Sequence, residues 1–140
     1  MSKIEQLPVS GCHPVDGDRL RFACYIKEFK ALHAVGDTKN AEKFLAEIID
    51  YIVDAFSDQE RMMTRIHDER SNYLEFGNHL REHANFFVSL REARSLGNLE
   101  AVEFIERWFI NHTINFDIDL GRFIKTVSPH NQASCGQFYK

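Results

Sequence analysis

The strongest constraint in this sequence is the helical spacing of its apolar residues. From about residue 40 to about residue 66 they recur every three or four positions, as expected for one face of a helix: Ala41, Leu45, Ile48, Ile52, Ala55, and Met62 or Met63. Similar spacing marks the segments 19–35, 73–95 and 99–124, whereas strand-like alternation does not extend over any useful length. The sequence therefore predicts an all-α protein built from four amphipathic helices of roughly 20 residues each.

Short polar connections separate these four segments. They lie at 36–40, at 67–71 and at 96–98, and Asp16 or Asp18 can cap the start of the first helix. Helices joined by so few residues predict an antiparallel up-down-up-down four-helix bundle. We expect one domain spanning residues 1–140, with an irregular N-terminal arm at 1–16 and an irregular tail at about 126–140.

Composition narrows the classes of partner. The chain has 140 residues and a net charge of −4 with acids and bases interspersed, which offers no basic face for nucleic acid. No apolar run approaches the roughly 20 residues that cross a bilayer, and the N-terminus lacks a signal-peptide pattern. Three cysteines without C-x-x-C spacing, Cys12, Cys24 and Cys135, favour a reducing compartment. We expect a cytoplasmic protein with no membrane or nucleic-acid partner.

Polar residues interrupt the apolar face of every predicted helix. Arg19 lies near the start of the first helix, Gln59 near the end of the second, and two pairs follow on the third and fourth: His79 with His83, and His112 with Asp117. In an antiparallel bundle these positions meet toward one end. Three imidazoles and one carboxylate are suitable ligands for Fe²⁺ or Zn²⁺, and bundle cores commonly hold such sites.

The spacing between His112 and Asp117 is unusual for a shared site. Five residues put the two side chains about 140° apart on an ideal α-helix. They can still meet if they flank the helix axis, or if a π-bulge brings residues five apart into phase. The alternative without a metal is a polar cluster in which Asp117 accepts hydrogen bonds from a histidine and from Arg19.

These motifs resemble those of a known family over nearly the whole chain. His79-x-x-x-His83-x-x-Phe86 followed by Trp108-x-x-x-His112-x-x-x-x-Asp117 is similar to the third- and fourth-helix signature of hemerythrins and bacteriohemerythrins. Residues 10–19 lie where those proteins have V-G-x-x-x-I-D-x-Q-H, and residues 55–63 where they have H-F-x-x-E-E-x-x-M.

The resemblance implies a metal site that lacks half of its usual ligands. The family binds two irons through five histidines, one glutamate and one aspartate, and carries O₂ reversibly. His79, His83 and His112 match the three histidines of one iron, and Asp117 matches the bridging aspartate. The other iron's positions are substituted: Arg19 stands at the first-helix histidine, Ala55 at the second-helix histidine, and Gln59 at the bridging glutamate.

The substitutions suggest a replacement of the second iron by a fixed charge. Arg19 can place a guanidinium in the space left by Ala55, bonded to Asp117 and to the Gln59 carbonyl. On this hypothesis Arg19 is an internal counter-ion. Glu60 does not replace the missing glutamate ligand, because one residue along a helix turns the side chain by about 100°.

The function that follows is a reduced form of the family's. Reversible O₂ carriage takes one electron from each of two irons, so a single iron favours a small-ligand, redox or iron-responsive sensor. No nucleophile arrangement or glycine-rich loop points to an enzyme. Iron is the expected metal and zinc the second choice, and O₂ or another small ligand is the expected partner. A metal-free interaction module, a di-iron O₂ carrier and a haem-binding bundle remain as alternatives.

Overall fold

The fold is seen in a computed structural model that describes residues 2–70 and 73–127, without the side chains of residues 14 and 68–70. Within these ranges the helices are α1 (His13–Asp16), α2 (Arg19–Ala34), α3 (Thr38–Arg70), α4 (Phe76–Leu96), α5 (Asn98–His112) and α6 (Ile118–Val127). A π-helical turn at Thr113–Asp117, here called the π turn, joins α5 to α6 without a break. This run is the fourth long helix beside α2, α3 and α4, and the predicted all-α four-helix bundle is confirmed.

The ends of the helices follow local capping chemistry. The Asp18 carboxylate accepts a hydrogen bond from the Arg21 backbone N–H at 3.0 Å, which caps the start of α2. Gly36 follows α2 with a φ of +82°, a conformation that glycine adopts readily. The prediction of a polar connection at 67–71 was wrong for residues 67–70, because α3 continues to Arg70. Polarity alone does not end a helix, because Glu and Arg are good helix formers.

Two apolar clusters form the core. The larger, here called the aromatic cluster, joins side chains of α2, α3, α4 and α5, including Phe22, Ile48, Phe56, Phe86 and Ile105. The smaller, here called the methionine cluster, joins the arm to α3, α6 and the segment that precedes α4; it contains Cys12, Val15, Met62, Met63, Ile66, Tyr73, Leu120 and Ile124. The polar residues predicted to share a site connect these two clusters, because they contact Phe56 of one and Tyr73 of the other.

The N-terminal arm is held against the bundle by a defined set of polar contacts. The Asp16 carboxylate accepts hydrogen bonds from the Ser10 backbone N–H, the Ser10 hydroxyl and the Gly11 backbone N–H, at 2.9, 2.8 and 3.2 Å. The arm also contains one helical turn, α1, so the expectation of an irregular arm was only partly right. Asp16 organises the arm and does not cap α2.

Gly121 gives the arm room to approach α6. A Cβ atom at this position would overlap the Cβ and hydroxyl of Ser10, so only a glycine permits this close packing. The approach places Cys12 and Val15 in the methionine cluster beside Leu120 and Ile124.

Some expectations lie beyond these observations. Residues 126 and 127, which were expected in the irregular tail, belong to helix α6, and residues 128–140, with Cys135, lie outside the described residues. The packing contacts alone do not establish whether neighbouring helices are antiparallel, so the up-down-up-down topology remains a prediction. No described helix is both long and apolar enough to cross a membrane.

Candidate metal centre

The π turn solves the spacing problem between His112 and Asp117. The backbone N–H of Ile118 donates to the carbonyl of Thr113, a hydrogen bond that spans five residues instead of the four of an α-helix. With this wider turn, His112 Nε2 lies 3.0 Å from Asp117 Oδ1. Both side chains are buried, at 2% and 4% exposure. The π-bulge considered from the sequence is therefore confirmed.

Helix α4 adds two imidazoles to this pair. His79 and His83 are four residues apart and share one buried face of the helix. His79 Nε2 lies 3.1 Å from His112 Nε2 and 3.3 Å from Asp117 Oδ1. One ligand atom from each of His79, His83 and His112 can be chosen so that all three lie within 4.8 Å of one another. The structure thus brings together the four residues predicted as metal ligands.

The spacing of these atoms suits a common ion. Two donor atoms that each lie about 2.1 Å from one ion are separated by about 3.0–3.4 Å, depending on the angle between the bonds. Asp117 Oδ1 and the Nε2 atoms of His79 and His112 are 3.0–3.3 Å apart. Asp117 Oδ1 and His83 Nε2 are also buried without a well-directed hydrogen bond. Buried polar atoms left in this way call for an ion or water, and the donor set fits a metal.

Electrostatics favour His79, His83 and Asp117 as ligands. Burial lowers the pKa of His79, and burial with the neighbouring imidazoles lowers the pKa of His83 to about 2, so both rings are neutral near pH 7. Burial acts to raise the pKa of Asp117, but the imidazoles of His112 and His79 outweigh it and the net pKa falls below the ordinary value. The cluster therefore offers the neutral nitrogens of His79 and His83 and the anionic oxygen of Asp117, as borderline divalent metals require.

Four neighbouring side chains hold the imidazoles in place. The Phe56 ring stacks on His83 with 3.8 Å between centroids, and Trp108 stacks on His112 at 4.3 Å. The Tyr73 hydroxyl lies 3.4 Å from His79 Nδ1, and Glu60 Oε2 lies 2.9 Å from His83 Nδ1. The roles of Tyr73 and Glu60 were missed from sequence. For Glu60 the signal was its spacing of four residues from Phe56, which puts both on one face of α3.

The three substituted positions do not converge in the same way. Among the described residues, the guanidinium of Arg19 contacts the arm: Nη1 donates to the backbone carbonyls of Leu7 and Pro8 at 2.9 and 2.8 Å, and Nη2 lies 3.8 Å from Asp16. The hypothesis that Arg19 is a counter-ion to Asp117 was wrong. The arm supplies acceptors for the guanidinium, while the imidazoles already stabilise the Asp117 carboxylate. Ala55 is half-buried, and Gln59 is buried with its carbonyl oxygen unpaired.

Comparisons with known proteins agree with this geometry. Myohemerythrin of Theromyzon tessulatum is 24% identical over 84 residues, covering 60% of this chain and 66% of that protein. Myohemerythrin of Riftia pachyptila is 25% identical over 89 residues, covering 64% and 70%. A hemerythrin-like protein of Naegleria gruberi is 23% identical over 92 residues, covering 66% and 72%. The chain is a distant relative of the hemerythrins.

The similarity to the hemerythrins covers part of each sequence. The match spans about two thirds of the length of each relative. No protein-family model matches the chain. No solved structure matches it at a significant level either. What the relationship and the geometry together support is a hemerythrin-like metal site built from His79, His83 and His112 with Asp117 nearby.

Proposed function

We propose that this protein binds one metal ion through His79, His83, His112 and Asp117, and that it acts as a small-ligand, redox or iron-responsive binding protein. The observation that carries the proposal is the meeting of the Nε2 atoms of His79 and His112 with Asp117 Oδ1 within 3.0–3.3 Å. Iron is the metal that a hemerythrin relationship favours, and zinc suits the same donors.

The residues of this chain have separable tasks at the site. Asp117 supplies the negative charge, and the three imidazoles supply nitrogen donors, with Phe56 stacked on His83 and Trp108 stacked on His112. When bound, iron supplies one-electron redox chemistry and a Lewis-acidic position for a small ligand. The aromatic rings stacked on His83 and His112 lie against imidazoles that are buried from water. We propose a binding role and not catalysis.

The case for one metal rests on the other half of the family's ligand set. A second ion needs donors at positions 19, 55 and 59, where the chain has a guanidinium, a methyl group and an amide. The Arg19 guanidinium is also engaged with the arm. Since ordinary O₂ carriage in the family draws an electron from each of two irons, the proposal assigns this chain a different role.

Elemental analysis tests the stoichiometry. The full chain is purified without chelator or histidine tag, beside the variant H79A/H83A and the control H33A, which removes a half-buried imidazole outside the cluster. We expect about one iron or zinc per chain in the wild type and in the control, and loss of the metal in H79A/H83A. Two irons per chain would overturn the single-metal proposal and restore the di-iron alternative.

A second candidate, a metal-free interaction module, is favoured by one observation. The contacts of Asp117 with His79 and His112, together with Glu60 on His83, can hold the cluster together without an ion. The same measurement separates the two candidates. Absence of metal from wild type, together with no binding of added Fe²⁺ or Zn²⁺, would favour the interaction module.

A further inference from the structure

We propose that Glu60 is a positioning residue that fixes the tautomer and orientation of His83, so that His83 Nε2 is available as a ligand. The inference rests on the proposed metal site and adds to it a residue that the hemerythrin resemblance did not assign. Its basis is the contact of 2.9 Å between Glu60 Oε2 and His83 Nδ1.

The tautomer follows from the chemistry of the two groups. A neutral imidazole carries one N–H, and an ionised carboxylate only accepts hydrogen bonds. The proton of His83 therefore lies on Nδ1 and is donated to Glu60. His83 Nε2 then carries the free lone pair, and this atom is buried without a hydrogen-bond partner. Metal-binding histidines typically use their second nitrogen in this way, with a carboxylate that holds the ring.

Orientation follows from two residues one turn apart on α3. The Phe56 ring lies parallel to the His83 ring, with 2° between the planes and 3.8 Å between centroids, and so fixes the plane of the imidazole. Glu60 bonds one edge of that ring and so fixes its rotation within the plane. Together they leave one direction for the opposite edge, which carries Nε2.

The environment of Glu60 suits a supporting role. Its side chain is 42% exposed, whereas His83 is 2% exposed, so the carboxylate keeps part of its hydration. It lines a surface cleft of about 750 Å³ with Ser57, Arg61, Thr64, Arg65 and Leu80. Partial hydration lowers the cost of keeping Glu60 ionised, although burial raises its pKa somewhat above the usual value. Glu60 is thus the link between the buried cluster and the surface of α3.

Competition between the protein and a chelator for Co²⁺ tests the effect on metal affinity. The series is wild type, E60A, E60Q and E47A, the last removing an exposed carboxylate elsewhere on α3. We expect E60A to bind Co²⁺ about 10- to 100-fold more weakly, E47A to match the wild type, and E60Q to recover most of the affinity, because its amide oxygen still accepts from Nδ1. Equal affinities in wild type and E60A, or no recovery in E60Q, would overturn the proposal.

A second measurement does not depend on metal. Imidazole ¹⁵N spectra of the metal-free chain report which nitrogen of His83 carries the proton. We expect the proton on Nδ1 in wild type and E60Q, and a mixture of tautomers in E60A. A proton on Nε2 in the wild type would overturn the inference. If the wild type binds no Co²⁺ but shows the Nδ1 tautomer, the proposed metal site fails while the role of Glu60 in orienting His83 stands.

Discussion

The residues that the sequence predicted to meet at one end of the bundle form two groups, and the contacts of the two groups differ. On the side of α4, α5 and the π turn, four side chains bring their lone pairs together within a few ångströms. On the side of α2 and α3, the chain has Arg19, Ala55 and Gln59, and the guanidinium of Arg19 is bound to backbone carbonyls of the arm. One side is organised to hold a cation, whereas the other already contains one.

The difference shows that polar residues predicted to lie at the same end of the bundle need not contact one another. Histidine and aspartate are short and stiff, so their polar atoms stay close to the helix that carries them. Arginine is long and flexible enough to leave its layer for better acceptors. In this chain Arg19 anchors the N-terminal arm through these carbonyls.

Introducing the three hemerythrin-type ligands at positions 19, 55 and 59 should have the largest effect on the difference between the two groups. We expect the variant R19H/A55H/Q59E to bind about two metal ions per chain instead of about one, because it would carry imidazole and carboxylate donors at the three positions that the hemerythrin resemblance assigns to a second ion. Elemental analysis and Fe²⁺ titration measure the change, with A55H alone as the control that stays near one. A triple variant that still binds one ion would mean that the space itself has closed.

Removing Arg19 tests how much its hydrogen bonds to the arm contribute to the stability of the protein. We expect R19A to lower the free energy of unfolding by about 2–4 kcal/mol, since it removes charged hydrogen bonds to the carbonyls of Leu7 and Pro8, the first of them buried and the second partly buried. Urea denaturation measures the loss. R21A is the matched control: its ion pair with Asp18 is exposed, so its loss should stay below about 1 kcal/mol. Equal effects in both variants would argue against the anchor.

The close approach of the arm to α6 can be tested separately. We expect G121A to destabilise the protein by about 1–3 kcal/mol, because the added methyl group overlaps Ser10 and pushes the arm away. The control G77A adds a methyl group to an exposed helical glycine with ordinary contacts, and should stabilise by about 0.5–1 kcal/mol. Thermal unfolding of the two variants should therefore shift in opposite directions. A G121A variant as stable as wild type would show that the arm is not packed there.

The buried histidines should make the stability of the metal-free protein depend gradually on pH. The folded pKa values of His79 and His83 lie below their unfolded values near 6.5, so in acid the unfolded chain binds protons that the folded chain does not. Stability should therefore fall as the pH decreases below about 6.5, by up to about 1.4 kcal/mol per pH unit for each proton. Urea denaturation of chelator-treated protein between pH 7 and pH 5 measures the slope. H83Q should reduce it by about one proton, and an unchanged slope would contradict the assignment.

Much of this fold could be predicted, because it depends on the helical spacing of apolar residues and on the residues that end helices. The apolar repeat located the four long helices, and Gly97 alone separates α4 from α5 where a break was expected. The wider turn between His112 and Asp117 was one of two geometries considered from the sequence, because residues five apart can share a site only if they flank the helix axis or if a π-bulge lies between them. The ligand role of these residues stays a prediction until metal is measured.

What the sequence did not reveal depends on contacts between distant segments. Nothing in the spacing of residues 1–16 tells where the arm lies, so the partners of Arg19 could not be deduced. Glu60 was considered only as a metal ligand, and its hydrogen bond to His83 depends on the packing of α3 against α4. Long polar side chains choose among several acceptors by geometry that a single sequence does not contain.

The π turn has a consequence far from the metal site, because it sets the phase of every residue that follows it. Deleting one residue between Thr113 and Asp117 would rotate α6 by about 100° and draw it back by about 1.5 Å. Gly121 would then turn away from Ser10, and Leu120 and Ile124 would leave the methionine cluster. The π turn therefore sets both the position of the Asp117 carboxylate and the packing of the N-terminal arm against α6.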